Sequence, residues 1–162
     1  MISGLHHIAL ATLDLERLTR FYVEVLGFEV VGWQGGWGQG NAIVDAIVGL
    51  QDSSARQVML RVGNLYLEVF QYLTPEPEPR ERVRRVCDPG YTHFCLNVID
   101  INHEYLRLKA AGMAFHHEPV FDHSNGIAAT YGRDPDGNVI ELQEILKPDH
   151  VFHLGRSSLH NK

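Results

Sequence analysis

Apolar and polar positions alternate with a period of two at the start of the chain. In Leu5-His6-His7-Ile8-Ala9-Leu10, Ile8 and Leu10 share one face, and His7 and Ala9 the other. His6 falls on the apolar face, so alternation singles out His7. The stretch Thr92-His93-Phe94-Cys95-Leu96-Asn97-Val98 repeats the design. Phe94, Leu96 and Val98 point one way, and His93, Cys95 and Asn97 the other. Each strand should pack its apolar face on a helix and leave the histidine face open.

Helical spacing follows each strand. Thr12 or Asp14 can cap a helix carrying Leu15, Leu18, Phe21, Tyr22, Val25 and Leu26, which Gly27 ends. Asp100 stands seven residues after His93, as Asp14 does after His7, and a helix over about 101–111 ends at Gly112. Phe28–Val31 reads as a strand. Gly32 to Gly40 reads as a mobile loop with two tryptophans, either a long hairpin connection whose indoles pack on the surface or a lid over a pocket. It lacks the Lys-Ser/Thr that completes a phosphate loop. Asn41 to Leu50 reads as a strand holding Asp45, and Gln57–Val62 as another. Leu65–Gln71 follows, with Glu68 opposite Leu65, Leu67 and Val69. The second half adds strands over 113–117, 127–131 and 139–143, with an irregular loop over 118–126. The turn Asp134-Pro135-Asp136-Gly137-Asn138 leads into the last strand, where Glu141 and Gln143 face away from Ile140 and Leu142.

Each half therefore reads as strand, helix and three strands, closing on a strand with a carboxylate. The organisation is one domain over 1–162. Module 1 covers 4–73, a Pro-rich linker 74–89, module 2 90–146 and a polar tail 147–162. The alternating prolines of Thr74-Pro75-Glu76-Pro77-Glu78-Pro79 make an extended spacer, and 80–85 can form a short charged helix.

Composition narrows the partners. The chain has 162 residues, 44% of them apolar, enough for a core. A net charge of −6 argues against nucleic acid or an anionic membrane surface. No apolar run is long enough to span a bilayer, and no secretory leader is evident. Two cysteines, Cys87 and Cys95, do not make a disulfide framework, which fits a reducing cytoplasm.

Four residues then stand at equivalent places: His7 and His93 on the opening strands, Glu68 and Glu141 on the closing ones. Pairing the modules through their open faces would bring two imidazoles and two carboxylates together. Two neutral His and two anionic Glu balance one divalent cation. Mixed N/O ligation suits Zn, Co, Ni, Mn or Fe, with two positions left for water or substrate oxygens. Cys95 lies on the same face as a pocket wall, with thiolate ligation the lesser alternative.

The motifs that carry this pattern resemble a known family. His7-Ile8-Ala9-Leu10, Asp14-Leu15, Phe21-Tyr22 and Leu26-Gly27-Phe28 are similar to the opening of a vicinal oxygen chelate module. The run from Asp134 to Leu142 is similar to that superfamily's closing strand. The resemblance spans about residues 4–146. It implies an α+β fold of two paired βαβββ modules, cupped around a metal. The substrate would be a small molecule chelating through two vicinal oxygens, and a homodimer is implied too.

Within the superfamily the layout is most similar to methylmalonyl-CoA epimerase and cyclitol epimerases. That resemblance implies proton abstraction beside a metal-bound carbonyl. It puts Asp45 where the family's proton-transfer Glu is found, and its apolar neighbours should raise its pKa. Glu141 or Glu68 would be the second proton-transfer group. Trp37, Asn41, His123 and Tyr131 are candidates to contact substrate. The alternatives are an Fe(II) extradiol-type dioxygenase, a glyoxalase I-like lyase and a metal-free drug-binding protein. The first needs two His and one carboxylate, so Glu68 counts against it; the full ligand set counts against the last.

Overall fold

The computed structural model describes residues 1–79 and 83–154. The chain divides into two compact units, Met1–Val83 and Arg84–Lys162.

Unit 1 runs β1 (His7–Ala11), α1 (Leu15–Arg20), β2 (Glu29–Trp37), α2 (Ala42–Val48), β3 (Ser54–Val62) and β4 (Leu65–Thr74). Its strands form a four-stranded sheet in the order β1-β4-β3-β2. β1 pairs parallel with β4, and the other neighbours pair antiparallel. Asp14 caps α1 by accepting from the Arg17 N–H. A π-helical turn, Phe21–Val25, continues α1. Leu15, Leu18, Tyr22 and Phe28 pack into the core with Val58, Leu60, Leu67 and Val69.

Unit 2 runs β5 (His93–Asn97), α3 (Ile101–Ala110), β6 (Ala114–Phe115), β7 (Val120–Asp122), β8 (Ile127–Arg133) and β9 (Val139–Ile145). The sheet order is β5-β9-β8-β6, with β7 also paired to β8. The parallel first-to-last pairing recurs between β5 and β9. Asp100 caps α3 by accepting from the His103 N–H. Ile101, Tyr105 and Leu108 of α3 are buried, as are Phe94, Ile140 and Leu142 of the sheet. In the turn before β9, Asp134 accepts from the Asp136 and Asn138 N–H groups and from Asn138 Nδ2.

Three expectations are corrected. The segment 41–50 is a helix. Asn41 caps it by accepting from the Val44 N–H, and Gly49 ends it in the left-handed region at φ 70°. The stretch 32–40 is mostly strand, because β2 continues to Trp37. Its glycines sit at two register shifts against β3, and at Gly36 the chains approach so closely that a Cβ would collide with the Ala55 carbonyl. The irregular loop at 118–126 contains β7. The short helix anticipated over 80–85 falls partly outside the described residues, and 83–85 are irregular. Among the described residues, no helix is long and apolar enough to cross a membrane.

Candidate functional site

The two sheets hold their histidines and carboxylates in one register. In unit 1, His7 lies beside Tyr66 and Ala9 beside Glu68. His7 and Glu68 are therefore diagonal neighbours on one face, and His7 Nε2 stands 3.4 Å from a Glu68 oxygen. In unit 2, His93 lies beside Val139 and Cys95 beside Glu141. The same diagonal places His93 Nε2 3.0 Å from a Glu141 oxygen. Among the described residues, neither unit gathers a third His, Cys, Asp or Glu into a metal-binding group with its pair.

The other ring nitrogen is engaged in both cases. His93 Nδ1 lies 2.8 Å from Thr92 Oγ1, and His7 Nδ1 lies 3.0 Å from His6 Nδ1. This orients Nε2 toward the carboxylate, as second partners do for metal-binding imidazoles. Burial holds the Glu68 carboxyl above its ordinary range, and the His7 and His6 rings pull it partly back. A buried carboxylate of this kind needs a cation or a proton. Two ligands bound side by side at about 2.1 Å from one ion stand roughly 3.0–3.4 Å apart. Each pair meets that spacing, so its two donors fit side-by-side binding to a divalent ion.

Neighbours of Glu141 come from both adjacent strands. Cys95 faces it from β5 and Tyr131 from β8. The Tyr131 ring lies 4.8 Å from that of His93. Desolvation first, and the Glu141 charge second, push the Cys95 thiol up to about 12. Cys95 is thus a neutral thiol beside the pair. Tyr131 is also raised, by burial first and by Glu141 next.

Asp45 differs from expectation in place and in chemistry. It sits on α2, and both its oxygens are taken. Oδ1 accepts from the Ser53 N–H at 2.8 Å and from the Ser53 hydroxyl at 2.6 Å; Oδ2 accepts from the Asp52 N–H at 2.8 Å. The Ser53 hydroxyl and backbone N–H hold its pKa below the ordinary value, opposite to the rise anticipated from apolar neighbours. Asn41 has its side-chain oxygen committed to the α2 cap. His123 is exposed and stacks on Phe121 at 5.9 Å. Trp37 is held, since its indole N–H donates to Ser53 Oγ at 2.9 Å.

Residues that the sequence reading passed over complete this surface. Phe70 and Tyr72 follow Glu68 on the same face of β4, and Met59 lies beside Glu68 from β3. The period-two pattern of Tyr66, Glu68, Phe70 and Tyr72 was the signal that could have found the two rings.

Comparison with known proteins gives a consistent picture. The profile of the Glyoxalase/Bleomycin resistance protein/Dioxygenase superfamily matches residues 4–142. A 2-epi-5-epi-valiolone epimerase from Actinomyces sp is 34% identical over 114 residues, covering 65% of this chain and 58% of that protein. The chain thus spans less than two thirds of that relative. The mitochondrial methylmalonyl-CoA epimerase of Homo sapiens is 25% identical over 145 residues, covering 88% of this chain and 74% of that protein. Among solved structures, a glyoxalase family protein from Bacillus cereus superposes with a TM-score of 0.77 at 22% identity, covering 91% of this chain and 97% of that one. At that identity the likeness concerns the fold.

Proposed function

The chain belongs to the Glyoxalase/Bleomycin resistance protein/Dioxygenase superfamily, and from that premise we propose that it is a divalent-metal-dependent epimerase or isomerase. It would move a proton on the carbon next to a carbonyl of a small molecule bearing two vicinal oxygens. His7, Glu68, His93 and Glu141 are the proposed ligands, a pair from each unit. The observation that carries the reading is the duplication. Each unit sets a His Nε2 against a Glu oxygen, at 3.4 Å and 3.0 Å, from the same diagonal of a parallel strand pair. Two of the relatives bear epimerase names. Four donors exceed the two His and one carboxylate of an extradiol iron site.

A bound divalent ion would polarise the substrate carbonyl and acidify the neighbouring C–H. The residues divide the remaining work. The imidazoles hold position through Thr92 and His6. Glu141 is the proposed proton-transfer group, flanked by Cys95 and Tyr131. Asp45, first expected as the base, has both oxygens occupied and is read here as an anchor for the 52–53 turn.

The test is α-proton exchange in D2O, followed by NMR on metal-replete protein with α-hydroxycarbonyl and acyl-CoA substrates. Exchange that disappears on chelation and returns with Co(II) or Zn(II) is the expected result. A protein that exchanges no α-proton, or exchanges equally well after chelation, is not this enzyme. Oxygen consumption with a catechol would move the assignment to the dioxygenases. Light scattering in solution tests the homodimer proposed with this reading.

A further inference from the structure

The partner of His7 Nδ1 comes from the residue just before it. His6 precedes β1, so the pleat does not fix its side chain, and its ring turns to the open face instead of the apolar one. There it lies flat on Tyr66, with 5.3 Å between centroids and 7° between planes. Tyr66 is the Cα partner of His7 across the parallel pair and of Arg61 across the antiparallel one. The Arg61 guanidinium lies over the same phenol ring at 5.9 Å, and its Nε donates to the Gly63 carbonyl at 3.4 Å. Against His7 the His6 ring stands nearly upright, at 87° and 5.2 Å.

The upright ring sets nitrogen against nitrogen, with His6 Nδ1 3.0 Å from His7 Nδ1. One proton serves such a contact, so one ring donates and the other accepts. His7 Nε2 is the atom aimed at Glu68, 3.4 Å away. If Nε2 gives its lone pair to an ion, the ring proton must sit on Nδ1. His6 Nδ1 is then the acceptor, and the proton of His6 lies on its own Nε2. Unit 2 places a partner at the same point of the chain. Thr92 immediately precedes His93, and its hydroxyl oxygen is 2.8 Å from His93 Nδ1. A hydroxyl can also accept there, but it rotates, whereas His6 is held by its stack. Two units with unlike walls thus keep one device, in which the residue before the histidine engages its far nitrogen.

We propose that Arg61, Tyr66 and His6 form a stacked brace that positions His7, fixing both the plane of its ring and the nitrogen that carries its proton. This rests on the metal-dependent reading of the same pair. His6 is a positioning residue, because it acts through His7. The brace matters most in unit 1. The His7 side chain is 40% exposed, against 26% for His93, so packing alone leaves its ring free to turn. Without His6, Nδ1 exchanges its proton with water and Nε2 loses its aim at the Glu68 side.

The probe is zinc, titrated into the full chain against a chelator, with the imidazole tautomers read by NMR of the ring nitrogens. His6→Phe keeps a ring on Tyr66 and removes the acceptor. It should weaken zinc binding about 10- to 100-fold, the range for outer-shell partners. His6→Thr copies Thr92 and should restore most of that loss. Tyr66→Leu keeps the acceptor without the stack and should weaken binding severalfold. In the apo wild type His7 should occupy one tautomer, and in His6→Phe a mixture of two. Urea midpoints of the apo variants should match the wild type, which separates positioning from a loss of fold. Zinc binding that all three variants keep overturns the brace and leaves the metal reading. A wild type that binds no zinc, with the His7 tautomer still set by His6, sinks the metal reading and leaves the brace. Mixed His7 tautomers in the wild type overturn the brace on their own. If Tyr66→Leu does not fold, His6→Phe against His6→Thr decides.

Discussion

His7 faces Glu68 across one parallel strand pair and His93 faces Glu141 across another, yet their surroundings have little in common. Ala9 stands where Cys95 does, Met59 where Tyr131 does, and Tyr66 where Val139 does. The Nδ1 partner is a histidine in unit 1 and a threonine in unit 2. Unit 1 carries a helix between its second and third strands, while unit 2 has two short strands before its long hairpin. The backbone frame and the two donors are shared, whereas the walls are not. A frame is set by strand pairing and buried apolar residues, which tolerate few alternatives. The open face carries no such constraint, so it can diverge and choose a molecule.

The largest effects should fall on the frame. Leu67 and Leu142 sit next to the two carboxylates and are fully buried. Leu67→Ala and Leu142→Ala should each cost about 2–5 kcal/mol in urea unfolding. A Leu142→Ala cost near zero would break the equivalence of the units.

The donors come next. His7→Ala and His93→Ala should each weaken metal binding by more than about a hundredfold, beyond what outer-shell partners cost, by titration against a chelator. A hundredfold loss in one and none in the other would mean that a single pair holds the ion.

The caps sharpen the comparison further. Asp14 caps its helix from an extended backbone, whereas Asp100 does so from the left-handed region at φ 56°. Asp14→Ala should cost about 1 kcal/mol. Asp100→Ala should cost roughly 1 kcal/mol more, for the strained backbone, and Asp100→Gly should recover that difference. Equal costs for the two alanine variants would remove the distinction.

The smallest effect concerns the Asp-centred turns. Asp122 accepts from the Ser124 hydroxyl and from the Asn125 N–H and side chain, which bring its pKa from 3.8 to about 2. Since the folded value is the lower one, the contribution to stability is present above about pH 4. It fades as pH falls toward 2. Protection of the Asn125 amide, measured against its intrinsic exchange rate at each pH, should fall through that window, and a flat protection profile would refute it.

Legibility in the sequence followed the same division. Strands with alternating faces, capped helices and the Asp134–Asn138 turn are local patterns, so β1, α1, β5, α3 and β9 were readable. The segment 41–50 was not, because a short apolar run with a single Asp inside it suits a helix and a strand equally. The Asn41 cap and Gly49 were the punctuation that decided it. The glycines of 32–40 suggested a loop, and only the close approach of β3 explains why a strand needs them. His7, Glu68, His93 and Glu141 stood out through the repeat. The engagement of Asp45 by Ser53 did not, because a side chain's partner across a turn leaves no periodic trace.

The parallel pairing of first and last strands has a consequence for assembly. In each unit the imidazole comes from the opening strand and the carboxylate from the closing one. Neither pair exists until the closing strand has been made and has docked on the opening one, however much hairpin or helix has formed before. Capture of a divalent ion would therefore report completion of folding, and a truncated or stalled chain would bind none. The ion would stabilise only the finished structure, so its supply and the yield of folded protein become linked quantities.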